Sequence, residues 1–188
     1  MKKRYYEFTA AAMLLAIGIV LPFFTGQIPQ IGSMLLPMHI PVLLCGFIGG
    51  WKYGLIVGFI LPLLRSLLFG MPTIYPNATA MAFELGTYGL LSGLLYTKAP
   101  WQCVKMLYRC MVAAMLGGRI VWGVVMAMLL GWGNFTFAMF LAGAFLEAIP
   151  GIVLQLIIIP AVMLTLDKTH LVSFRKPKQE IASNKHTA

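Results

Sequence analysis

The stretch LLPMHIPVLLCGFIGGWKYGLIVGFILPLLRSLLFGMP, residues 35–72, decides the fold of this chain. It is apolar along most of its length and is interrupted once, by the turn-forming sequence Gly-Gly-Trp-Lys-Tyr at residues 49–53. Arg65 lies inside the second apolar run, where a charged side chain is costly unless something compensates it. The stretch therefore predicts two neighbouring membrane-buried helices, the second of which carries a compensated arginine.

The composition extends this interpretation to the whole chain. Hydrophobic residues make up 60% of the 188 residues and charged residues only 10%. A typical soluble domain carries about 25% charged residues, so the chain is predicted to be an integral membrane protein. The net charge of +9 comes from basic residues scattered at segment ends, without the basic-aromatic patch that nucleic-acid binding uses. We therefore expect no nucleic-acid partner.

A membrane-spanning helix needs about 20 mainly apolar residues. The sequence predicts an all-α protein whose residues 1–166 form one membrane domain of six transmembrane helices. A basic tail follows at residues 167–188. The predicted helices cover residues 7–24, 39–50, 51–69, 77–96, 106–130 and 145–166.

The placement of basic residues predicts the topology. Of the 14 Lys and Arg residues, all but Arg65 and Arg119 fall in segments that lie inside if the N-terminus is cytoplasmic. Such a bias is what the positive-inside rule predicts. Both termini are therefore predicted to be cytoplasmic.

Away from the helix ends, four charged residues lie within the predicted helices: Arg65, Glu84, Arg119 and Glu147. Intramembrane charges usually face the bundle interior and mark binding sites or pathways. All four are predicted in the outer half of the membrane, which indicates a polar pocket open to the outside. The two guanidinium groups suit a carboxylate or a phosphate. The alternative is that the arginines only neutralise the two glutamates and bind nothing.

Helical spacing adds further candidates to this pocket. Glu84 and Tyr88 share a face of the fourth predicted helix, Arg119 and Trp122 a face of the fifth, and Gln155 a face with Glu147. His39 lies at the outer lip of the second helix, where a backbone-bonded histidine is an equally good interpretation. The predicted substrate-binding residues are His39, Arg65, Asn77, Glu84, Tyr88, Arg119, Trp122, Glu147 and Gln155.

Small residues recur at four-residue spacing in several helices. Glycine pairs such as 54/58 and 89/93 are best explained by close helix packing within the chain. Ala12 and Ala16 differ, because the first helix otherwise has a broad apolar surface. A partner helix that docks there is an alternative to internal packing.

The sequence lacks the motifs of several enzyme classes. It has neither the GxxxxGK[ST] phosphate loop nor HExxH, and its three cysteines show no metal-ligand spacing. We therefore predict a protein that is not an enzyme and that holds no cofactor or metal.

Several segments resemble the substrate-binding S components of energy-coupling factor (ECF) transporters. The resemblance covers residues 7–166 and rests on AAAMLLA, on PMHIPVLLCGFIGGWKYGLIVGFILPLLRSLLFG, on AMAFELGTYGLLSGLLY and on PGIVLQLIIIPAV. It implies a small subunit of the bacterial plasma membrane that binds a vitamin from outside, with pantothenate as the first candidate. Folate, riboflavin, a pyridoxine-like compound and a queuosine precursor stay open.

The resemblance also implies partners. Delivery would pass through a transmembrane coupling subunit driven by two ATPase subunits, and the AxxxA step at Ala12 and Ala16 would contact the coupling subunit. The loop at residues 25–37 would cap the pocket. The competing interpretation is a structural six-helix subunit, of the cell-shape scaffold type, that binds no small molecule.

Overall fold

The computed structural model describes residues 2–25, 35–100, 102–131, 133, 135–146 and 148–169, and it forms only helices and connecting turns there. Three sequence predictions fall outside these residues. They concern Glu147, most of the loop at residues 25–37, and the tail beyond residue 169.

Seven α-helices occur in the part of the chain that the structure describes, and we number them in chain order. They are α1 (Lys2–Val20), α2 (His39–Gly49), α3 (Trp51–Phe69), α4 (Thr79–Lys98), α5 (Val104–Leu130), α6 (Phe137–Leu141) and α7 (Ile149–Lys168). Helical turns extend α1 at Leu21–Thr25, precede α4 at Ile74–Ala78 and follow α6 at Ala142–Leu146. α7 begins later than the predicted residue 145, with Pro150 in its first turn, where a proline costs no hydrogen bond.

Within the described residues, four segments are long and apolar enough to cross a membrane: Arg4–Phe23, Trp51–Phe69, Val104–Leu130 and Phe137–Lys168. Large apolar side chains on their outer faces are exposed, among them Ile56, Ile120, Met128 and Ile157. Because hydrocarbon solvates such side chains, this exposure is what a helix bundle in a bilayer requires. The chain is therefore an all-helical multi-pass membrane protein.

The short helix α2 lies at the centre of the bundle. Every one of its 11 residues except Ile48 is buried. It packs against α1, α3, α4 and α7. At a rise of about 1.5 Å per residue, α2 is roughly 16 Å long, which is about half the thickness of the hydrocarbon core. Surrounding helices, rather than lipid, cover it, and its first residue, His39, lies inside the protein.

Glycines set the distance between α4 and the helices that pack on it. A Cβ atom added at Gly54 of α3 would lie 2.5 Å from the backbone oxygen of Gly89, and one at Gly58 2.3 Å from that of Leu85. On the other side, a Cβ at Gly46 of α2 would lie 2.1 Å from the hydroxyl of Ser92. These backbones are in direct contact, which drives helix association where no water is displaced. The glycine spacing thus serves packing within the chain.

Substitution of Gly89 tests this close contact. In Gly89→Ala the added methyl would lie 2.1 Å from the backbone oxygen of Gly54, so we expect a loss of about 1–3 kcal/mol or more. Gly86→Ala on the same helix is the matched control, since its nearest neighbour would be at 3.5 Å. We expect Gly86→Ala to be neutral or slightly stabilising because alanine favours the helix. Thermal unfolding in detergent measures both, and equal midpoints would contradict the packing argument.

Candidate functional site

A buried carboxylate lies at the contact of α2, α4 and α5. Glu84 of α4 is 1% exposed. Its Oε1 forms a salt bridge with Nη1 of Arg119 on α5, at 3.0 Å. The same oxygen lies 3.4 Å from Nε2 of His39 at the start of α2. Three helices are therefore joined by one carboxylate oxygen.

Tyr88 supports this cluster from one helical turn below Glu84. Its ring meets the imidazole of His39 edge to face, with ring centroids 5.1 Å apart. Gly118 of α5 makes room for the tyrosine, because a Cβ there would lie 2.5 Å from the Cε2 atom of Tyr88. The i,i+4 spacing of Glu84 and Tyr88 thus becomes one wall of the site.

Several polar atoms of this cluster are buried without a hydrogen-bond partner among the described residues. They are Nε and Nη2 of Arg119 and Nδ1 of His39. A buried polar atom without a partner lowers the free energy of unfolding by about 1–3 kcal/mol. Such atoms therefore need an explanation, for example a bound ligand or water. Nε and Nη2 form one edge of the guanidinium, which is the edge that binds a carboxylate through two parallel hydrogen bonds.

Gln155 adds a second buried polar group. It is 1% exposed, and neither its amide nitrogen nor its amide oxygen has a partner in the described part of the chain. It lies on α7, which packs against α2 and α5, the helices that carry His39 and Arg119. An amide can donate and accept, so Gln155 suits a ligand amide or hydroxyl group.

The surroundings of Arg65 in the structure differ from those that the sequence predicted. Its Nη1 donates to the backbone oxygen of Ile19, in the last turn of α1, at 2.8 Å. Its guanidinium lies 5.4 Å from the ring centroid of Phe23 and 5.7 Å from that of Phe69. Within the described residues no carboxylate pairs with it. A helix C-terminus and two aromatic faces therefore compensate this charge, and they join α1 to α3.

Asn77 and Trp122, two other predicted binding residues, also contact groups outside the Glu84 cluster. Asn77 is exposed and donates to the hydroxyl of Thr73 at 3.1 Å. Trp122 packs beneath α6, where it stacks on Phe140 at a centroid distance of 6.4 Å. A Cβ at Gly143 would lie 3.0 Å from the Trp122 ring. Of the predicted set, the structure thus brings together His39, Glu84, Tyr88 and Arg119.

The aromatic partners of Arg65 were not predicted from the sequence. Phe69 stands four residues after Arg65 on the same helix, and this spacing alone places the two side chains side by side. Phe23 lies beyond the end of α1 and shows no such signal.

The family-level comparison agrees with a membrane-embedded binding site. Residues 7–163 match the family model described as "ECF transporter, substrate-specific component". The chain belongs to this family. No curated protein and no solved structure matched it. As an ECF S component, it is the substrate-binding membrane subunit of an ECF transporter.

In this S component, α1 presents one face to its neighbours and another to the surroundings. Ala11 and Leu14 are buried, and a Cβ at Gly18 would touch Leu61 of α3. Ala12 and Ala16 lie on the opposite, exposed face. This face is thus free of other described helices of the same chain.

The Arg119–Glu84 pair should stabilise the fold. Removal of one partner leaves the other buried and charged, a loss of about 3–5 kcal/mol. We expect Arg119→Gln and Glu84→Gln each to lower the thermal unfolding midpoint in detergent. The double variant should lose less than the sum of the two. Asn77→Ala is the control, expected to change stability by less than about 0.5 kcal/mol. Additive losses would show that the two side chains do not depend on each other.

Proposed function

We propose that this S component captures a carboxylated vitamin or vitamin precursor from outside the cell, with pantothenate as the first candidate. One observation carries the proposal: the Nε/Nη2 edge of Arg119 is buried and unpartnered among the described residues, while Nη1 is already bound to Glu84. A guanidinium held in place through one nitrogen presents its remaining edge in a fixed direction. Such an edge favours a planar carboxylate over a single-point acceptor.

Another polar group of the site supports a substrate that also carries amide or hydroxyl groups. The Gln155 amide is buried and has no partner in the described chain. Pantothenate has one carboxylate, one amide and two hydroxyl groups, so it offers a partner to Gln155 as well as to Arg119. Riboflavin and pyridoxine-like compounds lack a carboxylate. Folate carries two, whereas only one described arginine lies in the cluster.

The surroundings of Arg65 support this preference for a single carboxylate. Its guanidinium is bound to the backbone of α1 and enclosed by Phe23 and Phe69. We therefore assign Arg65 to the support of the fold rather than to the substrate. Asn77 and Trp122 are assigned to the outer rim, and Glu147 stays a candidate from its sequence position.

The family and the sequence support a proposal for the transport cycle. We propose six transmembrane helices with cytoplasmic termini in the bacterial plasma membrane, as the distribution of Lys and Arg predicts. The bound vitamin would be delivered through a transmembrane coupling subunit driven by two ATPase subunits. The exposed Ala12 and Ala16 would lie against the coupling subunit, because small residues allow close helix contact. A cell-shape scaffold, the competing interpretation, binds no small molecule, so it does not explain buried polar atoms without partners.

Direct binding tests the substrate class. We expect the purified protein to bind radiolabelled pantothenate in preference to riboflavin and pyridoxine. Arg119→Lys keeps a positive charge beside Glu84 but loses the two-pronged edge, so we expect its affinity to fall about 30-fold or more, or roughly 2 kcal/mol. Arg65→Lys is the matched control and should bind normally. A protein that binds none of these vitamins would support the scaffold interpretation instead.

Uptake measurements test whether Ala12 and Ala16 contact the coupling subunit. We expect replacement of Ala12 and Ala16 by tryptophan to abolish vitamin uptake by cells and to leave binding by the purified subunit intact, because bulky side chains would separate the two helices. Ile120→Trp, on an exposed position of α5, is the control and should transport normally. If the alanine variants lose binding as well, or keep uptake, α1 does not dock there.

A further inference from the structure

We propose that the carboxylated substrate enters this site together with one proton, which is taken up by the imidazole of His39. The inference rests on the proposed function and adds the charge balance of binding to it. It makes substrate affinity depend on pH.

The net charge of the site limits which ligands it can hold. Arg119 and Glu84 are paired at 3.0 Å, and both are at least 95% buried, so together they contribute no net charge. Gln155 is uncharged. With a neutral His39 the site is neutral, and a bound carboxylate would leave one negative charge uncompensated. A buried charge without a counter-charge is strongly unfavourable, so a site of this kind favours either a neutral ligand or an added proton.

The hydrogen-bonding capacity of His39 sets a second limit. Its Nε2 lies 3.4 Å from the Glu84 carboxylate, which accepts only, so Nε2 is the protonated nitrogen. In a neutral imidazole the other nitrogen, Nδ1, is then an acceptor with a lone pair. This Nδ1 is buried and has no partner among the described residues. Facing a substrate carboxylate, it would repel the carboxylate unless it gained a proton.

A protonated His39 removes both difficulties. It donates through Nε2 to Glu84 and through Nδ1 to the substrate, while Arg119 donates to the same two carboxylates. Positive and negative groups then alternate around the site, two of each, and the net charge returns to zero. Histidine is the side chain that gains a proton near neutral pH most readily.

No other described charged group faces His39 from the helices packed on α2. From α4 come Glu84 and the phenol of Tyr88, whose ring meets His39 edge to face. α1 contributes apolar side chains near this end, and a Cβ at its Gly18 would touch Pro41. Of the two charged residues of α3, Arg65 is bound to Ile19 and Lys52 lies over the ring of Trp51. α7 contributes Gln155 to the buried core.

A functional consequence follows for the direction of transport. If the outer solution is more acidic than the cytoplasm, the substrate binds more tightly outside and more weakly once the site opens inward. Proton loss from His39 would then assist release.

Calorimetry of pantothenate binding tests the inference. Titrations near neutral pH in phosphate and in Tris, whose ionisation enthalpies differ, give the number of protons taken up. We expect about one proton per bound pantothenate, and a dissociation constant that rises about tenfold per pH unit over the alkaline range. Binding without proton uptake and without pH dependence would overturn the inference.

Two variants assign the proton to this site. His39→Gln cannot be protonated, so its pantothenate binding should take up no proton. Glu84→Gln keeps His39 but leaves the positive charge of Arg119 for the substrate. We expect it to bind without a proton and to lose less affinity at alkaline pH than the unmodified protein does. The double variant His170→Gln/His186→Gln is the control and should keep the uptake of one proton.

The outcomes separate this inference from the proposed function. If neither pantothenate nor another carboxylated vitamin binds, the proposed function is wrong and the inference falls with it. If pantothenate binds with no proton uptake, or if His39→Gln still takes up a proton, only the inference is wrong. If one of the variants does not fold, the other variant and the unmodified protein still decide the question.

Discussion

The site depends on one carboxylate oxygen. Oε1 of Glu84 lies within 3.0 Å of an Arg119 nitrogen and within 3.4 Å of a His39 nitrogen, and these groups come from three helices. In a low-dielectric interior, a charge is stable only beside its counter-charge and with its hydrogen bonds satisfied. The pairing therefore fixes which faces of α2, α4 and α5 point inward. It also holds the guanidinium so that its Nε/Nη2 edge has no partner among the described residues.

Close backbone packing makes this arrangement possible. α2 and α3 both lie against α4 through glycines, at distances that no Cβ atom would allow. This contact encloses the short helix α2 and thereby buries His39 at its first residue. Hydrophobic expulsion from water contributes nothing between helices in a bilayer, so the binding site relies on van der Waals contact of glycine surfaces. The same contact leaves the outer faces of α1 and α5 free for lipid or a partner.

Arg65 shows that an intramembrane charge can be compensated without a carboxylate among the described residues. Depth and sequence position placed it with Glu84, Arg119 and Glu147, because all four lie in the outer half of their predicted helices. The structure instead binds Arg65 to the carbonyl of Ile19 and encloses it between Phe23 and Phe69. A helix C-terminus and an aromatic ring can each stabilise a guanidinium by about 0.5–2 kcal/mol. Its position four residues before Phe69 was the only local sign of this role.

The sequence alone was sufficient to predict the membrane class, the helical fold and the resemblance to ECF S components, because hydrophobic length, charge placement and glycine spacing are local properties. It also identified Glu84, Tyr88, Arg119 and His39 as candidates, since buried charges and i,i+4 spacing can be read along a single helix. Only the tertiary structure decided which charges are paired. The choice between Glu84 and Ile19 as partners of an arginine depends on the rotation and separation of packed helices. Those quantities arise from contacts between residues distant in the chain, and no single segment encodes them.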